Sequence, residues 1–451
     1  MRVLMREAAV NIEKLAFGGS GFGRIEGKAC FVPFTAPGDM AKIRVRSEKR
    51  SYLEGELLEL LEPSSLRVPP PCPVFGTCGG CNWQHLSYSG QLAAKQEIFS
   101  ELLWRSGRVE SDRILPIIPA SEPYGYRTRV QLKLRSNAGE PHLGFYRGGS
   151  HFVVDIPHIC AIAHPAVNRI IGELRTLMAQ FPEPDKIPQI DAAMGDDRKV
   201  IVIIHYIGVR RLEIVQFLQQ NLITLSSADG IFLQSGRKAT LTKVAGIERL
   251  AYGVPEDVLS GVPETRLFFS RGGFSQVNYR QNVALIDTVC SWAGLTGRER
   301  VLDLYCGNGN FSIPLARNAA TTVGLEEYEP SIRDAVGNCE TNGVKNAVFL
   351  CSEAAAGVKK LADAGEKFDV VLLDPPRTGA AEVVGHIHAF GPRTILYVSC
   401  DPATLGRDIG ILKKSGYEVV KSRPVDMFPQ TYHIESVTML EPVHRHAQVS
   451  T

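Results

Sequence analysis

Between residues 300 and 400 the chain alternates short apolar runs with polar segments, and this alternation constrains the fold more than any other feature. The runs are residues 301–305, 322–325, 347–350, 369–373 and 393–399. Val, Ile and Leu dominate them, as in strands that are buried on both faces. The segments between them have room for helices. We therefore predict a doubly wound, Rossmann-like α/β sheet in this part of the chain.

Two of these runs end in residues that can carry chemistry. Asp374 follows the fourth run, and Ser399, Cys400, Asp401 and Pro402 close the fifth. Proline cannot continue a sheet ladder, so Cys400 is predicted at the carboxyl end of a strand, where open α/β sheets bind their ligands. A single cysteine is most often a packed core residue. The neighbouring strand end with Asp374 favours a reactive thiol instead.

The first run leads into a glycine turn that predicts a cofactor site. The turn contains Tyr305, Gly307 and Asn310, and Glu326 ends the second run nineteen residues after Gly307, where a carboxylate can bind ribose hydroxyls. Such a turn alone would equally suit NAD. Ser312 occupies the position of the third glycine of the dinucleotide fingerprint, which favours a cationic nucleoside without phosphates, such as S-adenosylmethionine (SAM).

Two further carboxylates are predicted to bind this cofactor. Glu353, just past the third strand, is expected to accept a hydrogen bond from the adenine amine, and Asp374 lies at the same edge of the sheet.

Residues 1–65 predict a small five-stranded barrel of the oligonucleotide-binding type. Short strand-like segments occur at residues 28–34 and 42–46, and Gly18, Gly19, Gly21 and Gly23 predict a turn between two strands. The bases Lys42, Arg44, Arg46, Lys49 and Arg50 stand against the single acid Glu48. They form either a solvated edge strand or a strip that contacts phosphates. The prolines at 63 and 69–71 predict a stiff linker that leaves this domain.

Four cysteines have the spacing of metal ligands. Cys72, Cys78 and Cys81 stand as C-x5-C-x2-C, and Cys160 follows seventy-nine residues after Cys81. Four thiolates suit either tetrahedral zinc or an iron–sulfur cluster, and the residues alone leave both open.

The region between the cysteines predicts an RNA-binding surface. Residues 105–147 hold eight Arg or Lys against four acids, interleaved with Tyr124, Tyr126, Phe145 and Tyr146. Alternation over residues 127–135 would project the basic side chains from one strand face. Basic side chains beside aromatic ones are typical of surfaces that bind single-stranded RNA. The competing interpretation is a strand face that is merely exposed to solvent. Residues 92–107 predict an amphipathic helix that ends at glycine.

The length of 451 residues is enough for two or three domains, and we expect them at 1–65, 66–264 and 265–451. A net charge of +2 does not by itself identify a nucleic-acid binder, so any basic surface must be local. No apolar run approaches the roughly 18 residues of a membrane span. Residues 1–10 lack a signal-peptide core. We expect a cytoplasmic protein that does not bind membranes.

The motifs around Asp374, Cys400 and Glu435, taken together, resemble those of a known family. The segments are Asp374-Pro375-Pro376-Arg377, Ser399-Cys400-Asp401-Pro402 and residues 428–435, which end in His433-Ile434-Glu435. The chain resembles bacterial RNA uracil-5-methyltransferases, in particular the 23S ribosomal RNA branch that carries an iron–sulfur cluster. The resemblance covers essentially the whole chain. It implies three parts: an amino-terminal TRAM barrel, a central α/β domain with the cluster, and a carboxyl-terminal SAM-dependent methyltransferase domain.

The resemblance also implies roles for individual residues. Cys400 is expected to add to C6 of uracil, Glu435 to remove the C5 proton as general base, and Asp374 to orient the base. Gln276 is expected near both SAM and the base, and Phe274 to face the flipped nucleotide. A 4Fe–4S cluster is expected on Cys72, Cys78, Cys81 and Cys160. The implied partner is RNA, and we expect a monomer.

Three alternatives remain at this point. The first is methylation of a transfer RNA uridine, which the same residues would catalyse. The second is an exocyclic-amine methyltransferase, but Arg377 replaces the aromatic residue that follows D-P-P in such enzymes, and Cys400 would have no role. The third is an RNA-binding protein without catalysis, which the presence of Cys400, Glu435 and Asp374 disfavours.

Overall fold

The computed structural model describes residues 6–137, 140–156, 159–236, 240–256 and 264–443. The chain divides into two compact units. Unit 1 comprises Met1–Ile98, Ser121–Glu248 and Phe428–His433, and unit 2 comprises Phe99–Ala120, Arg249–Met427 and Ile434–Thr451. Helix α1, Tyr88–Gly107, contributes residues to both units and ends at Gly107, as predicted. Within the described part of the chain, no helix is long and apolar enough to cross a bilayer.

Unit 1 begins with a closed five-stranded barrel, as predicted, in the order β1-β2-β3-β5-β4. Its strands are β1 (Glu7–Leu15), β2 (Gly21–Ile25), β3 (Lys28–Val32), β4 (Met40–Glu48) and β5 (Tyr52–Glu62). Alternation along β4 turns Ala41, Ile43 and Val45 into the barrel core and leaves the basic side chains outside.

The glycines of this barrel do not all form the predicted turn. Gly18 and Gly19 do, with φ of 99° and 95°. Gly21 and Gly23 lie within β2 instead. A Cβ atom on Gly23 would stand 2.2 Å from the carbonyl oxygen of Asn11, so the close approach of β2 to β1 requires glycine at this position.

The proline-containing segment after the barrel is fixed to it through Arg67. Its guanidinium lies 2.7 Å from the carboxylate of Asp39, which is fully buried. Burial opposes ionisation of Asp39, but hydrogen bonds from Arg67 and from the amides of Ala36 and Ser64 outweigh it and lower the pKa.

The rest of unit 1 is a seven-stranded sheet in the order β12-β11-β10-β9-β6-β7-β8. Its strands are β6 (Arg129–Asn137), β7 (Glu140–Tyr146), β8 (Val153–Asp155), β9 (Gln189–Met194), β10 (Val200–His205), β11 (Gly230–Gln234) and β12 (Leu241–Gly246). Helices α2 (Pro165–Ala179) and α3 (Arg211–Gln220) contribute buried residues to the apolar core of this sheet.

Unit 2 contains the predicted doubly wound sheet, in the order β17-β16-β15-β18-β19-β21-β20. The strands of this unit are β13 (Arg249–Val254), β14 (Thr265–Ser270), β15 (Arg300–Leu304), β16 (Thr321–Glu326), β17 (Ala347–Cys351), β18 (Val370–Leu373), β19 (Thr394–Ser399), β20 (Tyr417–Val425) and β21 (Glu435–Pro442). Strands β13 and β14 pair separately, and β21 lies antiparallel between β19 and β20.

Helices and single turns connect these strands. The helices of unit 2 are α4 (Tyr279–Ala293), α5 (Ser312–Ala316), α6 (Glu329–Thr341), α7 (Ala354–Asp363), α8 (Ala381–Val384) and α9 (Pro402–Lys414). Short 3-10 turns occur at Ser111–Arg113, Pro184–Lys186, Leu222–Leu225 and Ile387–Phe390.

Candidate active site

Strand pairing brings Cys400, Asp374 and Glu435 to one edge of the sheet of unit 2. Strands β18 and β19 are parallel and in register at Leu373 and Tyr397, so Asp374 and Cys400 both follow the carboxyl ends of adjacent strands. Ser399 pairs with Ser436 across β19 and β21, which sets Glu435 beside Cys400. The carboxyl ends of β18 and β19 and the amino end of β21 therefore meet at this edge of the sheet.

The turn that carries Cys400 is rigid because Asp401 caps helix α9. Its carboxylate accepts hydrogen bonds from the amides of Ala403 and Thr404 at 2.9 and 3.0 Å, and Pro402 occupies the first helical turn. Proline there has no amide that needs a partner. Cys400 therefore lies just before a helix amino terminus, where the helix dipole favours a thiolate.

Helix α9 also holds the loop that follows Asp374. The buried carboxylate of Asp408 accepts hydrogen bonds from the Ala380 amide at 2.7 Å and from the Tyr397 hydroxyl at 2.7 Å. Arg407 donates to the carbonyl of Thr378 at 2.9 Å. The positions of Asp374 and Arg377 are thereby tied to the helix that begins after Cys400.

Burial makes this site unfavourable for negative charge. It raises the pKa of Cys400 to about 12, with Glu435 and Asp374 adding to the effect and Arg377 opposing it. Glu435 is 3% exposed, and burial followed by the charge of Asp374 raises its pKa well above the usual range. Burial raises the pKa of Asp374 to about 7. Burial therefore favours the neutral thiol and neutral Glu435, and Arg377 favours ionisation of both.

The predicted cofactor turn contains three residues with a left-handed backbone conformation. Tyr305, Gly307 and Gly309 have φ of 66°, 55° and 88°. Left-handed geometry is unusual for a tyrosine, and such strain is concentrated at functional sites. The amide of Gly307 donates a hydrogen bond to the carboxylate of Glu326 at 3.2 Å. The turn itself therefore orients the side chain that is predicted to bind the ribose.

Asn310 is held by two residues that the sequence interpretation missed. Its amide exchanges two hydrogen bonds with the amide of Asn282 on α4, at 2.8 and 3.0 Å. The buried hydroxyl of Tyr252 on β13 donates to Asn310 at 2.9 Å. A buried asparagine within the apolar pattern of α4 was the available sequence signal for Asn282.

Asp303, the acid that opens the turn, is fully buried. One carboxylate oxygen accepts a hydrogen bond from Ser312, and the other has no hydrogen-bond partner within the described residues. Burial raises its pKa to about 7, with Asp374 and Glu326 adding to the effect. It was not among the predicted site residues, yet its free oxygen and its neighbours make it part of the same group of carboxylates.

Glu353 and Gln276 occupy different settings. Both carboxylate oxygens of Glu353 accept hydrogen bonds from α7 amides, at Ala355 and Ala356, and these bonds lower its pKa. It therefore caps α7 in the structure, and its contact with adenine stays a prediction. Gln276 is buried, and Phe274, two residues earlier, is 65% exposed. Asn278 caps α4 and donates to the carbonyl of Met427 at 3.3 Å, which fixes this segment.

The four predicted cluster cysteines lie near one another in unit 1. Burial raises the pKa of Cys78 to about 11 and that of Cys81 to about 12, and the nearby Cys160 and Cys72 add to both shifts. Within the described residues, no three or more His, Cys, Asp or Glu side chains form a group that could hold a metal ion. The donor set has the chemistry of an iron–sulfur site without its closed geometry.

Comparison with known proteins decides the family. A profile described as tRNA (Uracil-5-)-methyltransferase matches residues 87–443, and a TRAM domain profile matches residues 5–58. The chain belongs to the tRNA (uracil-5-)-methyltransferase family. It is a SAM-dependent RNA (uracil-5-)-methyltransferase, as the resemblance implied.

Curated relatives of this uracil-5-methyltransferase match along nearly all of both chains. The 23S rRNA (uracil(1939)-C(5))-methyltransferase RlmD of Alkalilimnicola ehrlichii is 34% identical over 96% of this chain and 96% of its own. The corresponding enzyme of Vibrio parahaemolyticus is 31% identical over 97% and 96%. An uncharacterised RNA methyltransferase of Thermosynechococcus vestitus is 34% identical over 96% and 97%.

A solved structure shares the fold. The Pyrococcus abyssi tRNA (uracil-54, C5)-methyltransferase, in complex with S-adenosyl-L-homocysteine, superposes with a TM-score of 0.71. It is 24% identical and is matched over 96% of this chain and all of its own. The TRAM barrel and the methyltransferase sheet predicted from the sequence are thus confirmed, whereas the central cluster domain stays a prediction.

The basic strip predicted on the TRAM barrel is largely neutralised. Lys42 lies 2.9 Å from Glu7, and Arg46 lies 2.6 Å from Glu56. Arg44 lies within 4 Å of both acids, at 3.9 and 3.6 Å. These acids come from β1 and β5, which flank β4 in the barrel. The structure therefore favours the solvated-strand interpretation over a row of free phosphate contacts.

Gln430 is a further residue whose role the sequence did not reveal. It has φ of 69° and is almost fully buried. Its side chain accepts a hydrogen bond from Gln91 at 2.9 Å, and its carbonyl accepts from the amides of Asn82 and Trp83. These bonds tie residues 428–433 into unit 1 just before the chain reaches Glu435.

Proposed function

We propose that this uracil-5-methyltransferase methylates C5 of a specific uridine in 23S ribosomal RNA. One observation carries the proposal. Relatives named 23S rRNA (uracil-C5)-methyltransferase match over 95–97% of this chain at 31–34% identity, through the TRAM barrel as well as the catalytic sheet. The transfer RNA enzyme named above is less similar in sequence, at 24%. Transfer RNA uridine is the alternative substrate.

Cys400 is the proposed nucleophile. Uracil C5 is a poor carbon nucleophile, so the Cys400 thiolate adds to C6 and the C5=C6 π electrons move onto C5 and O4 as an enolate. C5 then attacks the methyl group that bound SAM supplies, and S-adenosylhomocysteine leaves. Arg377 and the amino terminus of α9 support the thiolate against the raised pKa of Cys400.

Glu435 is the proposed general base for the last step. The methylated adduct carries one proton on C5, and a carboxylate must remove it before the Cys400 sulfur can leave C6 and restore the C5=C6 double bond. The position of Glu435 beside Cys400 supports this role. Glu435 must be ionised when it acts, and Arg377 favours that state.

The remaining site residues are proposed to bind SAM and the base. Tyr305, Gly307, Asn310, Glu326, Glu353 and Asp374 bind SAM, Gln276 contacts both SAM and the base, Asp374 orients the base, and Phe274 faces the flipped nucleotide. The glycine turn, the orientation of Glu326 and the exposure of Phe274 support these assignments.

We also propose that Cys72, Cys78, Cys81 and Cys160 hold a 4Fe–4S cluster in a central domain at 66–264, between a barrel at 1–65 and a catalytic domain at 265–451. The proximity of Cys72 and Cys160 to Cys78 and Cys81 supports it. Methyl transfer from SAM needs no electron, so the cluster has a structural role. A cytoplasmic, monomeric enzyme fits this substrate.

Mapping of 5-methyluridine in a strain that lacks the gene tests the substrate. We expect mass spectrometry of RNA fragments to show the loss of one 5-methyluridine from 23S rRNA, with transfer RNA unchanged. The purified protein with labelled SAM should restore the methyl group to 23S rRNA from that strain. Loss from transfer RNA alone would replace the proposal with the alternative substrate.

A further inference from the structure

The tip of the β7–β8 hairpin in unit 1 presents aromatic and basic side chains without acids. Its sequence from Tyr146 to Phe152 contains Arg147 and His151 and no Asp or Glu. Phe152 is 76% exposed, and Arg147 and His151 are also exposed. The carboxylate of Asp155, at the end of β8, is paired with Arg175 at 2.8 Å. An exposed phenylalanine among basic side chains is suited to RNA, because the ring can stack on nucleobases and the basic groups can contact phosphates.

The side chains at this tip are held in defined positions. The Lys133 ammonium lies 5.4 Å from the centre of the Tyr146 ring, and His151 packs edge-on against the same ring at 5.5 Å. The Arg147 amide donates to the carbonyl of Phe152 at 2.8 Å, which closes the turn. A preformed platform loses little conformational entropy when it binds a ligand.

The tip is joined to the loop between Cys78 and Cys81. Cys78 and Arg147 form a β-bridge, and the Gly79 amide donates to the carbonyl of Tyr146 at 2.9 Å. A Cβ atom on Gly79 would lie 2.9 Å from that carbonyl oxygen and 3.0 Å from the Gly148 nitrogen. A Cβ atom on Gly80 would meet only the Cys78 sulfur, at an ordinary 3.5 Å. Glycine is therefore required at 79 and not at 80.

We propose that residues 146–152 form a stacking platform for an unpaired nucleotide of the RNA substrate, and that the cysteine loop sets its position through Gly79. The proposal rests on the proposed RNA substrate and names a contact surface for it outside the catalytic residues. Phe152 stacks on the base, and Arg147 and Lys133 face the phosphates. The loop from Cys78 to Cys81 would then contribute to RNA affinity through the β7–β8 hairpin.

Binding of a fluorescein-labelled single-stranded 12-nucleotide RNA and of the same sequence as a duplex tests the platform. Phe152→Ala should weaken binding of the single strand about tenfold, within the range measured for stacked bases, and leave duplex binding unchanged. Phe152→Tyr should bind as the wild type does. Ile223→Ala, at an apolar residue of unit 1 that is 84% exposed, is the matched control and should show no change. Equal single-strand affinities of Phe152→Ala and the wild type, within twofold, would overturn the proposal.

The link to the cysteine loop is tested with two alanine variants of the full-length protein. Gly79→Ala should weaken single-strand binding as Phe152→Ala does, and the double variant should be no weaker than either alone. Gly80→Ala should bind normally. Fully additive losses in the double variant would overturn the link. These assays do not depend on methyl transfer, so failure of the 23S rRNA assignment would appear only in the methylation mapping.

Discussion

At the scale of single residues, the site is a set of acids and a thiol whose pKa values are raised by burial. Asp303, Asp374 and Glu435 all have raised pKa values, and so does Cys400. Such a group is unfavourable for stability and useful for chemistry, because a bound sulfonium can compensate the charge that the free protein avoids. Two predictions follow from the direction of these shifts.

The first concerns stability and Asp303. Its pKa of about 7 in the folded state lies above the ordinary value of 3.8, so the folded state binds the proton more tightly. The stability contribution is full below the unfolded pKa and is lost as pH rises towards 7. Asp303→Asn keeps the bond with Ser312 and removes this loss. We expect the free energy of unfolding of the variant, relative to that of the wild type, to be larger at pH 8 than at pH 5 by on the order of 2 kcal/mol. Thermal unfolding at both pH values measures it, and an equal difference at the two would contradict it.

The second concerns activity and Glu435. A base with a raised pKa is ionised only at higher pH, so multiple turnover, which requires the final elimination, should fall as pH decreases, with a midpoint well above 4.5. Arg377→Gln removes the nearby positive charge that lowers this pKa, and the midpoint should move to higher pH. Arg377→Lys keeps the charge and should move it less. A pH profile that Arg377→Gln leaves unchanged would exclude this electrostatic account.

At the scale of elements, helix α9 is the support of the site. The third prediction is that Asp408→Ala destabilises the protein by about 3 kcal/mol, because it leaves the Ala380 amide and the Tyr397 hydroxyl buried without partners. Turnover should also fall as the loop after Asp374 loosens. Glu418→Ala removes a surface pair with Lys413 and should change stability by less than about 1 kcal/mol. Equal effects of the two variants, measured by thermal unfolding, would contradict this role of α9.

The elements also show what the sequence could predict. The apolar runs identified β15 to β19, and the prolines after Asp374 and Asp401 marked strand ends correctly, because both are local signals. Three features required distant partners and were missed. Asn310 depends on Asn282 and Tyr252, Gln430 on Gln91, and the bases of β4 on Glu7 and Glu56. The hydrophobic periodicity of one segment does not indicate which side chains from distant segments will contact it in the folded chain.

At the scale of the whole molecule, the fourth prediction concerns the iron–sulfur cluster proposed for Cys72, Cys78, Cys81 and Cys160. Protein purified without oxygen should be brown and contain about four iron and four sulfide per chain, with broad absorption near about 400 nm. Cys81→Ser should lose the iron, whereas Cys351→Ser, at an exposed cysteine of unit 2, should keep it. Stoichiometric zinc without sulfide would contradict the cluster.

Antiparallel insertion of β21 beside β19 brings Glu435 to Cys400 across thirty-five residues of sequence, and the proposed mechanism depends on this pairing. Addition and methyl transfer need the thiol, whereas only the final elimination needs the base. Glu435→Gln is nearly isosteric but cannot take up the C5 proton as a carboxylate does. Its multiple turnover should fall by about 10²- to 10⁴-fold.

The most direct measurement is therefore a denaturing gel of Glu435→Gln incubated with methyl-labelled SAM and unmethylated 23S rRNA. We predict a slowly migrating labelled band of protein bound to methylated RNA, with the RNA attached at Cys400 by peptide mass spectrometry. Cys400→Ala should give neither the band nor methylated RNA. Normal turnover by Glu435→Gln with no trapped band, or an adduct that persists in Cys400→Ala, would contradict the assignment of base and nucleophile.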